Sequence, residues 1–317
     1  MEVSKVGTVR GYQTLVGMLA VLLLSLPADA AWKAMATPPV PTGSAAAESI
    51  NGIIYVAGGA SASGKNSTLQ AFNPTTNTWT TLASMPLTLY QGDGAGVINS
   101  QLYVAGGWNG PLPTTVLLKY DYDPPTNSWT SLAGMPHLSA CGATSVIDSK
   151  LYVTTACNGY NGYANYLDVY DPATNAWTSL PGSASAHSAP AIGAINGKLY
   201  VAGGLDGSGN LTNVVEVYDP AANSWTTLAH MPIAVTSAAS VALDGQLYVF
   251  GGNSGTSDVA IVQVYDPHKN KWKILPASLP AAISASSGVV VYGLAFMEAG
   301  DGSGTANQYS AIAPSIP

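Results

Sequence analysis

Tryptophan recurs along the chain at a nearly constant period, and this repeat constrains the fold more than any other feature. The recurring residues are Trp32, Trp79, Trp129, Trp177, Trp225 and Trp272, with steps of 47 to 50 residues. Trp79 opens the phrase W-T-T-L-A-S-M-P, and Trp225 opens W-T-T-L-A-H-M-P. Self-similarity at this period predicts an array of supersecondary units that bury their faces against one another.

Each unit is predicted to be a four-stranded antiparallel sheet. A strand of small residues leads into a two-residue turn such as Asn51-Gly52, which favours a type I′ hairpin. The second strand carries Leu-Tyr-Val and ends in a glycine pair, as at Gly204. The third strand ends in Tyr-Asp-Pro, and a turn through Asn leads into the Trp strand, because Asp-Pro and Asn are turn formers.

The double glycine, the Tyr and the Trp together resemble the kelch repeat over the single domain 31–317. This resemblance implies an all-β fold, a six-bladed kelch-type β-propeller. The copy that contains Thr155-Ala156 lacks the glycine pair, so we expect that blade to be rebuilt around Cys157. The copy that starts at Ile283 ends without a Trp strand, and we expect the N-terminal strand at Trp32 to close that last blade, which removes exposed sheet edges.

The first 30 residues have the pattern of an export signal. Lys5 and Arg10 precede an apolar run over 15–26, and Ala28-Asp29-Ala30 follows. A charged region, a short apolar region and a small-residue cleavage site predict a signal peptide, 1–30, with an uncleaved anchor as the alternative. The mature protein is therefore expected to be secreted or periplasmic, without insertion into a membrane after cleavage.

Two cysteines in an exported chain suggest a disulfide bond. A hairpin folded about Asp148-Ser149 places Cys141 opposite Ala156, one residue from Cys157. We therefore predict a Cys141–Cys157 disulfide. Two buried thiols are the alternative, because disulfide geometry is exacting and the pair is offset by one residue.

Charge excludes several classes of partner. The chain has 17 acidic and 10 basic residues, a net charge of −7, and Arg10 is its only arginine. An acidic chain has no electrostatic footprint for nucleic acid, so no nucleic-acid partner is expected. His137, His187 and His230 come from different repeats without ligand spacing, so we expect solvated loop histidines, no metal site and no cofactor. A monomer is expected.

One face of the propeller is predicted to carry the long, variable loops, where binding residues usually lie. Aromatic rings stack on sugars, and amide groups pair with hydroxyls as donors and as acceptors. We therefore expect a non-catalytic binding module for a glycan or a protein ligand. Ordinary loop packing and a purely structural spacer are the alternatives. The candidate ligand-binding residues are Tyr90, Asp93, Trp108, Asn109, Tyr160, Tyr163 and Tyr166.

The first strand of each blade is expected to line a central channel. These strands consist almost entirely of Ala, Gly and Ser, and Asp93 and Glu48 are the acidic exceptions, expected at opposite mouths. The chain also resembles the six-bladed, exported sialic-acid mutarotases. That resemblance implies an alternative function, a sugar mutarotase or epimerase in which Asp93 or Glu48 moves the proton.

Overall fold

The computed structural model describes residues 32–61, 64–90, 92–122, 126–157, 163–276, 279–300 and 306–311, with the backbone alone for 298–300 and 306–311. The signal-peptide prediction and Tyr160 lie outside the described residues. Within these ranges every regular element is a β-strand, so the all-β expectation is confirmed. No helix in the described ranges could cross a membrane.

The strands alternate with turns along the chain. In order they are β1 (Lys33–Ala34), β2 (Ala46–Ile50), β3 (Ile53–Ala57), β4 (Ala60–Ser61), β5 (Gly64–Lys65), β6 (Leu69–Asn73), β7 (Thr78–Leu82), β8 (Gly94–Ile98), β9 (Gln101–Ala105), β10 (Trp108–Asn109), β11 (Leu112–Pro113), β12 (Leu117–Asp121), β13 (Ser128–Ser131), β14 (Ala143–Ile147), β15 (Lys150–Cys157), β16 (Tyr163–Asp171), β17 (Ala176–Leu180), β18 (Ala191–Ile195), β19 (Lys198–Ala202), β20 (Val215–Asp219), β21 (Ser224–Thr227), β22 (Ala239–Leu243), β23 (Gln246–Phe250), β24 (Val262–Asp266), β25 (Lys271–Ile274), β26 (Ser287–Val291), β27 (Leu294–Gly300) and β28 (Ala306–Ala311).

Five four-stranded sheets are complete blades, each formed from one continuous stretch of chain. In chain order these are blade 1 (β2-β3-β6-β7), blade 2 (β8-β9-β12-β13), blade 3 (β14 to β17), blade 4 (β18 to β21) and blade 5 (β22 to β25). The first strand of each blade lies innermost and packs against the first strands of its neighbours. The second-to-third connections and the connections between blades therefore share one face, as predicted.

The remaining four-stranded sheet is composite and differs from the five blades. Its order is β1-β28-β27-β26, so it joins the two ends of the described chain, with Lys33 opposite Ser310. Its outer strand has only two residues, both exposed, whereas the outer strands of the blades have four or five. The expectation of six kelch-type blades is therefore corrected to five complete blades and one composite sheet, because only Lys33 and Ala34 of the N-terminal Trp segment pair there.

The two-residue turns have the backbone that the sequence predicts. Both residues of Asn51-Gly52 and of Asn196-Gly197 have positive φ, between 51° and 82°. This confirms the type I′ hairpin, in which both central residues need φ > 0. Tyr292-Gly293 forms the same turn in the composite sheet, with φ values of 52° and 74°, and was not predicted because Tyr rarely adopts this conformation.

A repeated pair of hydrogen bonds joins blades 1, 2, 3 and 5 to the chain segment that precedes each of them, and blade 4 keeps the Trp bond of the pair; we call it the Asn–Trp staple. In blade 2 the Ala83 N–H donates to Asn127 Oδ1 (3.0 Å), and the Ala83 carbonyl accepts from Trp129 Nε1 (2.7 Å). The fully buried Tyr120 donates its hydroxyl to the same Asn127 oxygen (2.7 Å). The motif explains why Asn, Trp and Tyr recur in step: together they join neighbouring sheets.

Candidate functional site

The inner strands enclose a central cavity of about 480 Å³ that opens on the loop face. Its lining is mostly Ala, Gly and Ser, as predicted, and contributes few side-chain functional groups. Among the described residues that line it, Glu48 and Asp93 are the only carboxylates and Cys141 is the only thiol. Any carboxylate or thiol chemistry inside this cavity therefore depends on these three side chains.

A ring of left-handed residues forms the loop-face opening of the cavity; we call it the mouth ring. It consists of Ser44, Cys141, Ala189, Ser237 and Ala285, whose φ values lie between 50° and 58°. Backbone hydrogen bonds of 2.6 to 2.9 Å join neighbouring members, as from the Ala189 N–H to the Cys141 carbonyl. The ring fixes the diameter of the opening with main-chain atoms rather than with side chains.

Blade 2 differs from the other blades at the mouth ring. There the Asp93 side chain, rather than a backbone carbonyl, accepts the hydrogen bond from the next blade. Asp93 Oδ1 accepts the Gly142 N–H of blade 3 at 2.8 Å. A side chain at Gly106 or Gly142 would collide with the carboxylate, so both glycines are needed to accommodate it. Asp93 is therefore held between two blades by residues whose lack of a Cβ leaves room for it.

The Asp93 carboxyl is in an environment that disfavours its charged form. The residue is 2 % exposed, and Oδ2 makes no hydrogen bond of good geometry to a described residue. Burial raises the pKa of Asp93 to about 7, against the opposing effects of the nearby Ser139 hydroxyl and the Gly142 N–H. The group is thus poised to gain or lose a proton near neutral pH.

Glu48 lies deeper in the cavity than Asp93. It is the third residue of β2, opposite Tyr55, and is partly buried. Burial also raises the pKa of Glu48 to about 7, opposed by the Ser49 N–H at 3.2 Å. Glu48 occupies the same position in the inner strand of blade 1 as Gly96 does in blade 2, and Gly96 lies three residues beyond Asp93. At the rise per residue of a β-strand, the two carboxylates therefore differ in depth by roughly 10 Å. The expectation that Glu48 and Asp93 lie at opposite mouths is wrong, because Glu48 lies in the middle of its strand.

Tyr90 and Trp108 lie opposite each other across a backbone bridge beside the mouth ring. Their backbones exchange hydrogen bonds of 3.2 and 2.7 Å across an antiparallel bridge. Both side chains interact with Cys141 of the ring, and the Lys65 ammonium lies 6.0 Å from the centre of the Tyr90 ring. Asn109 follows Trp108 in β10 and is exposed. The structure therefore brings Tyr90, Trp108, Asn109 and Asp93 to one sector of the mouth, the blade 2–3 sector.

The two cysteines meet in the same sector. Ala140 and Cys157 form an antiparallel bridge, the register that the hairpin pattern predicted. The two thiols are reduced and contact each other through a hydrogen bond, so the structure shows a cysteine pair rather than the predicted disulfide. β15 continues through Thr155-Ala156 to Cys157 and makes the long hairpin with β16, with a bulge between Thr155 and Cys157. The prediction of a rebuilt blade is confirmed.

A family model for the Attractin/LZTR1 β-propeller matches residues 54–300. The chain belongs to this kelch-type propeller family. The solved structure titled "Structure of YjhT" is similar, with a TM-score of 0.74 at 20% identity over 87% of this chain and 95% of that one. At that identity the likeness shows a shared propeller fold. No curated protein sequence matches the chain significantly.

Two predicted residues of this family member lie away from the blade 2–3 sector. Tyr163 pairs with Cys157 at the loop end of the long hairpin but lies near Gly209 of blade 4. Tyr166 is 42 % exposed and stacks on His137 at 3.9 Å between ring centres. The single aromatic patch predicted from sequence is therefore divided, and Tyr166 belongs to a separate outer contact.

His137 and His187 hold loops in place, which sequence reasoning missed. His137 Nδ1 contacts Asp168 at 2.8 Å. His187 is 4 % exposed, contrary to the expectation of a solvated loop residue, and contacts Glu216 at 3.0 Å. Gln70 makes the equivalent tether in blade 1, where its amide bonds to the Val40 backbone. The sequence signal that could have revealed these tethers is a polar residue within the otherwise apolar third strand of a blade. Among the described residues no cluster of His, Cys, Asp or Glu has the composition of a metal site.

Proposed function

We propose that the protein is a non-catalytic binding module and that its ligand site is the blade 2–3 sector of the mouth. The ligand is an uncharged, polyhydroxylated molecule, the end of a glycan. The observation that carries the proposal is the Tyr90–Trp108 bridge, which holds two aromatic side chains beside an open cavity and next to a carboxyl group.

Each component of the sector suits a neutral sugar. Aromatic rings provide apolar surfaces for sugar C–H groups, and the exposed Asn109 amide offers both donors and an acceptor. Glu48 and Asp93 would repel an anion when ionised. The size of the cavity admits a small ligand and not a folded protein partner.

Binding of labelled protein to an array of neutral glycans tests this proposal. We expect Trp108→Ala to weaken the best interaction about fivefold or more, since aromatic stacking supplies on the order of 1 kcal/mol or more. Tyr292→Ala is the matched control, because Tyr292 is 74 % exposed in a hairpin turn on the opposite face. Equal loss of glycan binding in the two variants would contradict the proposal. If no glycan on the array bound and a protein ligand was captured instead, a protein-binding function would replace the glycan-binding one.

A second function is supported by the two raised pKa values. Asp93 and Glu48 face one cavity, and burial raises the pKa of each to about 7, the range in which a carboxyl group acts as acid and base at neutral pH. A mutarotase or epimerase acting on a neutral sugar would use them for ring opening.

Exchange spectroscopy by NMR on the anomers of neutral sugars tests this second function. Acceleration that Asp93→Asn or Glu48→Gln abolishes would establish an enzyme. Anomer exchange at the uncatalysed rate, together with binding that depends on Trp108, would leave the binding module as the function.

A further inference from the structure

The two cysteines lie within bonding reach of each other at the edge of the cavity. Ala140 and Cys157 exchange both backbone hydrogen bonds, at 3.1 and 2.8 Å. Facing residues in such a pair have Cα atoms about 5.5 Å apart, and Cys141 is the next residue along the chain. The thiols are already in contact, so a disulfide between them needs little backbone movement.

We propose that Cys141 and Cys157 form a reversible dithiol–disulfide couple that exchanges with small disulfides such as glutathione disulfide, with Cys157 as the attacking thiolate. The couple is part of the mouth ring through Cys141, which lines the cavity. Both residues are partly exposed. The proposal does not depend on the identity of the ligand.

The contacts around the pair distinguish the two sulfur atoms. Donation from the Cys141 thiol lowers the pKa of Cys157 to about 7, helped by the Ser188 hydroxyl at 3.5 Å and opposed by burial. The same contact raises the pKa of Cys141. A thiolate is the nucleophile in thiol–disulfide exchange, so Cys157 reacts first at neutral pH.

The exchange balances in two steps. The Cys157 thiolate attacks one sulfur of the glutathione disulfide, forming a mixed disulfide and releasing one glutathione thiolate. Cys141 then loses its proton to solvent in the cavity and attacks the Cys157 sulfur, which expels the second glutathione thiolate. Two protein thiols and one glutathione disulfide become one protein disulfide and two glutathione molecules.

Oxidation of the pair also changes the surroundings of Asp93. The groups that face Asp93 are the Ser139 hydroxyl and the Gly142 N–H, which lower its pKa, and Cys157 and Asp168, whose negative charges raise it. A disulfide removes the thiolate charge of Cys157. The pKa of Asp93 is therefore expected to be lower in the oxidised protein, which couples the redox state of the pair to a carboxyl group of the mouth.

Peptide mapping of the full chain tests the couple without any variant. Trypsin cleaves after Lys119, Lys150 and Lys198, so the cysteines fall in the separate peptides 120–150 and 151–198. After equilibration with glutathione disulfide we expect these peptides to be linked, and to separate again with excess glutathione. Brief alkylation of the reduced protein at pH 7 is expected to label peptide 151–198 first. Unlinked peptides, or first labelling of 120–150, would overturn the proposal.

Two serine variants test the assignment of the attacking sulfur. Cys141→Ser keeps a donor beside Cys157 and is expected to form a stable glutathione adduct. Cys157→Ser is expected to react at least about tenfold more slowly at pH 7, because the remaining thiol is mostly protonated. Equal rates in two variants with wild-type melting curves would contradict the assignment.

Discussion

The rim of the propeller and the blade 2–3 sector of its mouth use hydrogen bonds in opposite ways. At the rim the Asn–Trp staple recurs, with Trp79 bound to the Ala36 carbonyl, Trp177 to that of Ala133 and Trp272 to that of Ala229. In the sector a side chain of Asp93 replaces a backbone link and leaves one oxygen without a good partner. The repeated contacts stabilise the fold, and the unrepeated ones leave a buried carboxyl group incompletely paired, which costs stability.

Removal of a staple tryptophan is expected to have the largest effect. Trp129→Ala removes a half-buried ring and its hydrogen bond to Ala83, and is expected to lower the free energy of unfolding by about 3 kcal/mol. Trp129→Phe keeps most of the apolar contact and is expected to cost about 1 kcal/mol. Guanidinium denaturation measures both. A loss below ~1 kcal/mol for Trp129→Ala would show that the staples do not carry the stability of the rim.

In the blade 2–3 sector, replacement of a side chain is expected to raise the free energy of unfolding rather than to lower it. The pKa of Asp93 rises from 3.8 in the unfolded chain to about 7 in the fold, so its contribution to stability is present below pH 3.8 and is lost as the pH rises to 7. A difference of about three units sets a ceiling of about 4 kcal/mol, and a new unpaired amide offsets part of any gain.

Asp93→Asn is therefore expected to raise the free energy of unfolding at pH 8 by about 2 kcal/mol and to flatten its decline between pH 4 and pH 7. Melting curves across this pH range measure the change, with Glu48→Gln as the partner variant in the same cavity. A variant that is less stable than the wild type at pH 8 would remove the contrast between the two regions.

The smallest expected effect separates two members of the rim. Asn175 accepts hydrogen bonds from the Tyr170 hydroxyl and from the Ala133 N–H. Asn223 accepts the Tyr218 hydroxyl, but Pro181 stands where the second donor would be and has no N–H. Both asparagines have positive φ, near 50°, so the backbone cost of alanine is matched. Asn175→Ala is expected to lower the free energy of unfolding by about 1 kcal/mol more than Asn223→Ala does. Equal losses would show that the second hydrogen bond does not contribute to stability.

The repeated parts of the fold were predicted well because the same turn and strand residues recur in each repeat. Turn residues such as Asn196-Gly197 fix a local backbone, and the alternation of small, Tyr and Trp strands fixes their order in the sheet. The register that places Cys141 beside Cys157 also followed from counting across a hairpin. The composite sheet was harder, because the extent of pairing between distant ends depends on tertiary packing and not on local pattern.

The site was only partly predictable for a physical reason. Asp93, Trp108 and Tyr90 come together because neighbouring blades converge at the mouth, which topology alone indicates. The separation of Tyr166 depends on a stacking contact with His137 that no spacing reveals. The long hairpin of blade 3 likewise depends on a bulge after Thr155, and so its outer residues were misplaced.

Titration of the Asp93 carboxyl carbon by NMR tests most directly whether the blade 2–3 sector disfavours the ionised form of this carboxyl group. The assignment comes from the signal that disappears in Asp93→Asn. We expect the pKa of Asp93 to be about 7 in the reduced protein. A pKa at or below the ordinary aspartate value of about 4 would mean that the carboxyl is well satisfied, and would contradict this view of the mouth.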